Sequence, residues 1–151
     1  AIEACSILKE KGYKIKWNIV GEGEERSNLE NLINKFELGE NFNLLGIREN
    51  PYPYIKKSDI YVQPSRFEGK SIAIDEAKIL NKPIVVTNFS TAKDQIINNK
   101  NGIITEMNSK SLANEIERII CDEKLKKKII LNLSNEKIGN ESEINRLYEV
   151  I

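Results

Sequence analysis

Apolar positions along the chain switch repeatedly between the period of a helix and that of a strand. Ile2, Cys5 and Leu8 share one helical face over 2–10, and Gly12 stands where a glycine ends a helix. Over 14–20, Ile15, Trp17 and Ile19 alternate with Lys14, Lys16 and Asn18 and close on the apolar pair Ile19-Val20, which predicts a strand. Gly21-Glu22-Gly23 reads as a turn. Leu29, Leu32, Ile33 and Phe36 predict a helix over 24–38, closed by Gly39, and a short strand over 41–46 follows. Pro51 and Pro53 punctuate a loop and a short helix carrying Tyr52, Tyr54 and Ile55, with the two tyrosines packing the loop onto the domain. A strand over 59–62, a helix over 71–80 and a buried strand over 83–87 come next. The remainder reads as a helix over 92–98, a turn at Asn101-Gly102, a strand over 103–105, and helices over 111–120, 123–131 and 143–151.

Strands and helices that alternate through short connections predict a parallel sheet covered on both faces. The last forty residues or so are all helical and are expected to wrap the sheet rather than extend it. The first element is a helix with no strand before it. An α/β unit ordinarily begins with a strand, so residues 1–151 are expected to form one domain lacking its first strand.

Composition narrows the class. At 151 residues the chain has the size of one domain, and 40% hydrophobic with 30% charged residues is ordinary for a soluble globular protein. The 23 basic and 23 acidic residues cancel, which argues against a dedicated nucleic-acid binder. Cys5 and Cys121 are single and distant, as in proteins of a reducing, cytoplasmic compartment. Neither a signal peptide nor a membrane-length apolar run is visible, and with no initiator Met the native chain is expected to begin before residue 1. The chain has no histidine, which removes Ser-His and Cys-His nucleophile pairs, His-ligated zinc and a histidine general base. It also has no D-x-D pair. A carboxylate-held divalent metal is therefore not expected, although Asp75-Glu76 leaves that question open.

The most informative stretch runs from Pro64 to Ala77, where Glu68 and Glu76 stand eight positions apart across a turn containing Gly69. A strand, a tight turn and a helix start offer unpaired N–H groups and the positive end of a helix dipole, a setting for an anion. At about 100° per residue, Glu76 falls between Ile72, Ile79 and Leu80 on the apolar arc, while Asp75 and Lys78 point away. A carboxylate placed there needs donors, and ligand hydroxyls are one source. The plainer readings are a Glu76 satisfied by a neighbouring N–H or lysine, a Glu68 capping the next helix, and a Lys70 that is an exposed loop cation. Gly21-Glu22-Gly23 does not extend to a dinucleotide fingerprint, because Arg26 occupies the last glycine position; a tight turn at a cleft edge fits better. Arg48 either stacks on a base or is a solvated cation. Lys124, Lys126, Lys127 and Lys128 form either a solvated helix face or a contact with an anionic membrane.

Four blocks, in order, carry a family resemblance: Ile19-Val20-Gly21-Glu22-Gly23; Asn43-Leu44-Leu45-Gly46; Ser58 to Ser65 running into Glu68 and Glu76-Ala77; and Pro83 to Thr87 with Asn101-Gly102. Over roughly residues 1–120 the chain resembles the C-terminal, nucleotide-sugar-binding domain of retaining GT-B glycosyltransferases of the group 1 type, which build capsules and lipopolysaccharide. The resemblance implies a Rossmann-like α/β domain, the C-terminal half of a GT-B fold. It implies that Glu68 is the catalytic-site glutamate against the donor sugar and that Glu76 binds the ribose hydroxyls. Backbone N–H groups around Gly69, Lys70 and Ser71, with Ile72 at the helix start, would face the diphosphate and sugar. Ile47 and Arg48 would lie beside the base, and Gly21 at the cleft edge. The implied donor is a nucleoside diphosphate hexose and the acceptor a polysaccharide or lipid-linked saccharide held by a separate N-terminal domain. The reaction would need no metal or other cofactor and would take place in the cytoplasm, at the inner face of the membrane. The isolated domain would be inactive.

The chain departs from the family pattern at Lys70-Ser71, where Phe-Gly is common, and at Ser90-Thr91 and Asp94, where Gly-Gly and Glu are common. The family's phosphate-binding Arg and Lys would precede residue 1. A sugar-nucleotide epimerase or phosphorylase is the alternative within the same fold, and the lack of histidine weighs against the epimerase. A flavodoxin-like or receiver-like module is the non-enzymatic alternative, and a strand ending in Val20-Gly21 lacks the acidic residues a receiver needs.

Overall fold

The computed structural model describes residues 1–136; the helix expected over 143–151 lies outside them. The described elements alternate as the hydrophobic pattern requires: α1 (Ile2–Glu10), β1 (Trp17–Ile19), α2 (Arg26–Lys35), β2 (Phe42–Leu44), α3 (Tyr52–Lys57), β3 (Tyr61–Gln63), α4 (Ile72–Ile79), β4 (Ile84–Thr87), α5 (Ala92–Gln95), β5 (Ile103–Thr105), α6 (Ser109–Cys121) and α7 (Glu123–Asn135). All strand pairings within these sheets are parallel.

One expectation needs correction at once. The strands form two sheets rather than one, β1-β2 and β3-β4-β5, so β1 and β3 each pair on one side only among the described residues. Strands are also shorter than their alternation suggested, because alternation marks extended backbone, whereas a ladder needs a hydrogen-bonded neighbour.

β4 shows why its sequence is an unbroken apolar run. Val85 joins one core with Leu8 of α1, Trp17, Phe42, and Ile116, Ile119, Ile129 and Leu133 of α6 and α7. Ile84 and Val86 face a second core with Ile74 and Ala77 of α4 and with Phe89, Ala92 and Ile96. A strand covered on both faces carries no polar alternation. In the first core, Trp17 and Phe42 stack across the β1-β2 pair with centroids 5.7 Å apart.

Helix ends follow local chemistry, though not always the glycines. Gly12 (φ +89) closes α1 as expected, its N–H donating to Lys9 and that of Tyr13 to Leu8. Gly39 does not close α2. Glu37 takes the left-handed position instead (φ 52), and Leu38, fully buried, donates to Ile33. Burying Leu38 at about 1.5–3 kcal/mol offsets the strain of a non-glycine cap. The helix expected over 92–98 is the single turn α5. α6 starts at Ser109 rather than 111, because the Asn108 side chain accepts from the Ser111 N–H at 2.8 Å, and α7 continues past 131 to Asn135.

Candidate functional site

The C-terminal ends of parallel strands are where open α/β folds place ligands, and the Pro64–Ala77 stretch begins there, after β3. Glu68 is half-buried. One oxygen, Oε1, accepts from both Gln63 Nε2 and Ser65 Oγ, each at 2.7 Å, and the Tyr61 hydroxyl donates in turn to Gln63 Oε1. Glu68 is therefore oriented by the strand it follows and does not cap α4, and the side chain of the N-cap residue Ser71 makes no capping bond either.

The helical face of Glu76 differs from the expected one. Ile72 is 74% exposed and Lys78 only 8%; the buried stripe is Ile74, Ala77 and Lys78. Lys78 turns inward because Glu136, held by Asn101 Nδ2 at 2.6 Å, lies 3.6 Å from its ammonium. Glu76 is left half-buried on the flank, facing α3. Burial pushes its carboxyl above the ordinary value, and a hydrogen bond with the Tyr52 side chain opposes that shift. Tyr52 thus does more than pack its loop. The Tyr61 phenol is held well above its usual range by burial first, then by Glu76 and Glu68. Both carboxylates therefore oppose ionisation of the same tyrosine.

Asp75 and Glu76 diverge. Asp75 accepts from Gln95 Nε2 at 3.1 Å and lies 3.6 Å from the ammonium of Lys70, a side chain 80% exposed, while Glu76 turns to Tyr52. Among the described residues no three acidic, cysteine or histidine side chains converge as a metal site.

The turn between the glutamates is braced from the next connection. The Thr91 hydroxyl lies 2.9 Å from the carbonyl oxygens of both Glu68 and Gly69, and the Thr87 hydroxyl donates to the Ser65 carbonyl. Buried Gln95 accepts from the Ser71 N–H and donates to the Ser71 carbonyl, both at 2.8 Å. This corrects one expectation: the Ser71 N–H is already taken inside the fold and does not face a ligand. Gly69 is exposed, with nothing within 4 Å of where a Cβ would stand.

The ends of β1 and β2 are tied by backbone. Gly21 (φ +133) donates its N–H to the Gly46 carbonyl at 2.9 Å, tying the ends of β1 and β2 together. Arg26, the residue that breaks the dinucleotide pattern, pairs with Glu22 and with Glu30 at 2.9 Å and fixes this corner. Exposed Arg48 borders a separate concavity of about 350 Å³ with Glu49, Asn50, Pro53, Tyr54 and Lys57. Lys124, Lys127 and Lys128 are exposed on α7, and Lys126 is half-buried. Among the described residues no helix is long and apolar enough to cross a membrane.

Sequence reasoning named Glu68 and Glu76 but not Gln63, Ser65, Tyr61, Thr91 or Gln95 as their supports. Gln63 and Ser65 carried a signal, polar side chains at and just beyond the end of an apolar strand. Gln95 carried none, since its partner Ser71 lies 24 positions away.

The family profile described as Glycosyl transferases group 1 matches residues 1–135. Among curated relatives, the capsular polysaccharide biosynthesis glycosyltransferase CapM of Staphylococcus aureus is 30% identical over 131 residues, 85% of this chain and 34% of CapM. An uncharacterized glycosyltransferase of Methanocaldococcus jannaschii is 35% identical over 96 residues, 64% of this chain and 24% of its own. The chain thus spans about a quarter to a third of the relatives it matches. Among solved structures, a variant of S. aureus TarM in complex with fondaparinux, alpha-GlcNAc-glycerol and UDP superposes with a TM-score of 0.83 at 25% identity, covering 99% of this chain and 31% of TarM. Anabaena HepE in complex with UDP gives 0.82 at 22% identity, covering 99% of this chain and 43% of HepE, a likeness of fold.

Proposed function

The chain belongs to the glycosyl transferases group 1 family, and from that premise we propose that it is the donor-binding part of an enzyme that moves a hexose-type sugar, with retention of configuration, from a nucleoside diphosphate sugar to a surface polysaccharide or glycolipid. The observation that carries the reading is the braced turn 64–71, which holds Glu68 by Gln63 and Ser65 and leads into a helix start whose N-cap side chain makes no capping bond, with Glu68 and Glu76 both near enough to raise the Tyr61 phenol. The UDP bound to TarM is consistent with it.

Each part has a chemical task. Oε1 of Glu68 is held by Gln63 and Ser65, so Oε2 is aimed to accept from a sugar hydroxyl. Glu76 accepts from the ribose hydroxyls, exchanging or sharing its bond with Tyr52. N–H groups of Gly69, Lys70 and Ile72 stabilise the diphosphate as it departs, aided by the helix dipole and without a metal. On the family resemblance, arginine and lysine side chains from outside residues 1–151 complete the phosphate clamp, and a second domain holds the acceptor. That places catalysis in the closed cleft between two domains, at the cytoplasmic face of the membrane.

The test is titration of UDP onto the ¹⁵N-labelled chain. Shifts should concentrate on residues 68–76, with roughly high-micromolar to millimolar affinity and no response to EDTA. Unchanged spectra at about 10 mM nucleotide would remove the donor site. Sugar transfer by the isolated chain would contradict the two-domain mechanism.

A further inference from the structure

We propose that Thr91 and Gln95, on the connection from β4 through α5, are positioning residues that aim the backbone N–H groups of Gly69, Lys70 and Ile72 at the donor diphosphate; this rests on the donor-site reading above. The reasoning is geometric. A trans peptide unit is planar, with its carbonyl and the next residue's N–H on opposite sides. Fixing a carbonyl toward one side therefore fixes the following N–H toward the other. The single hydroxyl proton of Thr91, whose oxygen lies 2.9 Å from the carbonyl oxygens of both Glu68 and Gly69, is shared between them from the α5 side, which turns the N–H groups of Gly69 and Lys70 away from α5. Gln95 Nε2 holds the carbonyl of Ser71, which turns the N–H of Ile72 away from it.

The Gln95 amide can bind in only one orientation. Oε1 faces an N–H, while Nε2 faces the Ser71 carbonyl and, at 3.1 Å, the Asp75 carboxylate. Reversing it would set oxygen against two oxygens. At 7% exposure it has little water to substitute for these bonds. The same contact takes the Ser71 N–H out of the set available to a ligand. Loop N–H groups otherwise turn freely between orientations. Here three are set in advance, which lowers the cost of ordering them around a phosphate.

The experiment is UDP titration by ¹⁵N NMR of the wild-type chain and four variants, each with its melting temperature. Wild type should show its largest shifts at Gly69, Lys70 and Ile72, with Ser71 moving less. Thr91→Val and Gln95→Leu should weaken UDP binding by on the order of tenfold in the folded protein, while Thr91→Ser, which keeps the hydroxyl, should bind as wild type. Gln95→Glu supplies a signature that a packing role would not. Its carboxylate cannot donate to the Ser71 carbonyl and faces Asp75, so binding relative to wild type should be poor at neutral pH and recover as that carboxyl is protonated. If Thr91→Val and Gln95→Leu bind UDP like wild type, or Gln95→Glu shows no pH-dependent recovery, the proposal is overturned and the donor site stands. Should Gln95→Leu fail to fold, the Thr91→Val and Thr91→Ser pair decides alone. Absence of UDP binding by the wild-type chain overturns the donor-site reading, and this proposal with it.

Discussion

The three-stranded and two-stranded parts of the molecule hold their strand ends by different means. Around β3-β4-β5, the turn beyond β3 is held by side chains: Gln63 and Ser65 on Glu68, Thr91 on two carbonyls, and Gln95 on Ser71. Around β1-β2, the strand ends are tied by backbone, through the Gly21 N–H on the Gly46 carbonyl, with Arg26 and Glu22 packed against them. Side-chain bracing positions individual polar groups, which chemistry needs. Backbone bracing makes a wall, and it depends on glycine more than on any functional group. Burial sets β4 apart from the other strands of both parts: it is covered on both faces, whereas β3 of the same sheet is only partly covered, and in β1 and β2 only Trp17 and Phe42 are buried.

The largest expected effect tests that burial. Ile84→Ala, which empties a fully buried site in β4, should cost about 2–5 kcal/mol in denaturant unfolding. Leu44→Ala in half-buried β2 should cost clearly less. Equal losses would mean that the two parts are equally packed. Next comes Glu76→Ala in the full-length enzyme. If the ribose hydroxyls received by Glu76 contribute about 1.5–3 kcal/mol in all, donor affinity should fall roughly tenfold to two-hundredfold, with little change in melting temperature. Glu76→Gln should do less harm. A folding defect with unchanged donor affinity would instead make Glu76 structural.

Glycine substitutions sharpen the comparison at a smaller scale. Gly46→Ala would bring a Cβ within 2.9 Å of Glu22 Oε1 at φ +73, and should destabilise by about 1–3 kcal/mol. Gly69→Ala, with open space around it, should leave thermal stability nearly unchanged. If the two behave alike, the backbone wall is not as rigid as its contacts imply. The smallest effect concerns pH. Because burial raises the Glu76 carboxyl above 4.5 in the folded protein, the folded state holds its proton longer than the unfolded state. Stability from this group is therefore highest below that value and declines as pH rises through the window between unfolded and folded values. The melting temperature of wild type minus that of Glu76→Gln should fall as pH rises across this window.

Much of the fold is visible in one dimension because it depends on neighbours in sequence. The end of α1 at Gly12, the doubly covered β4 and the order of strands and helices all follow from period, turn chemistry and run length, and residues 64–77 announce the turn and its two glutamates. What the chain alone does not contain is any relation set by distant partners. The local period placed Ile72 on the buried side of α4 and Lys78 outside, yet Glu136, 58 positions beyond Lys78, draws that lysine inward and leaves Ile72 exposed. The Ser71 N–H looked free to bind an anion until Gln95 claimed it across 24 positions. The division of the strands between two sheets, the Glu37 cap in place of Gly39 and the Tyr52 contact with Glu76 are of the same kind. Helix and strand periods are encoded within a few residues. The direction of a side chain or a peptide group at the site is settled only when packing brings a particular partner to it.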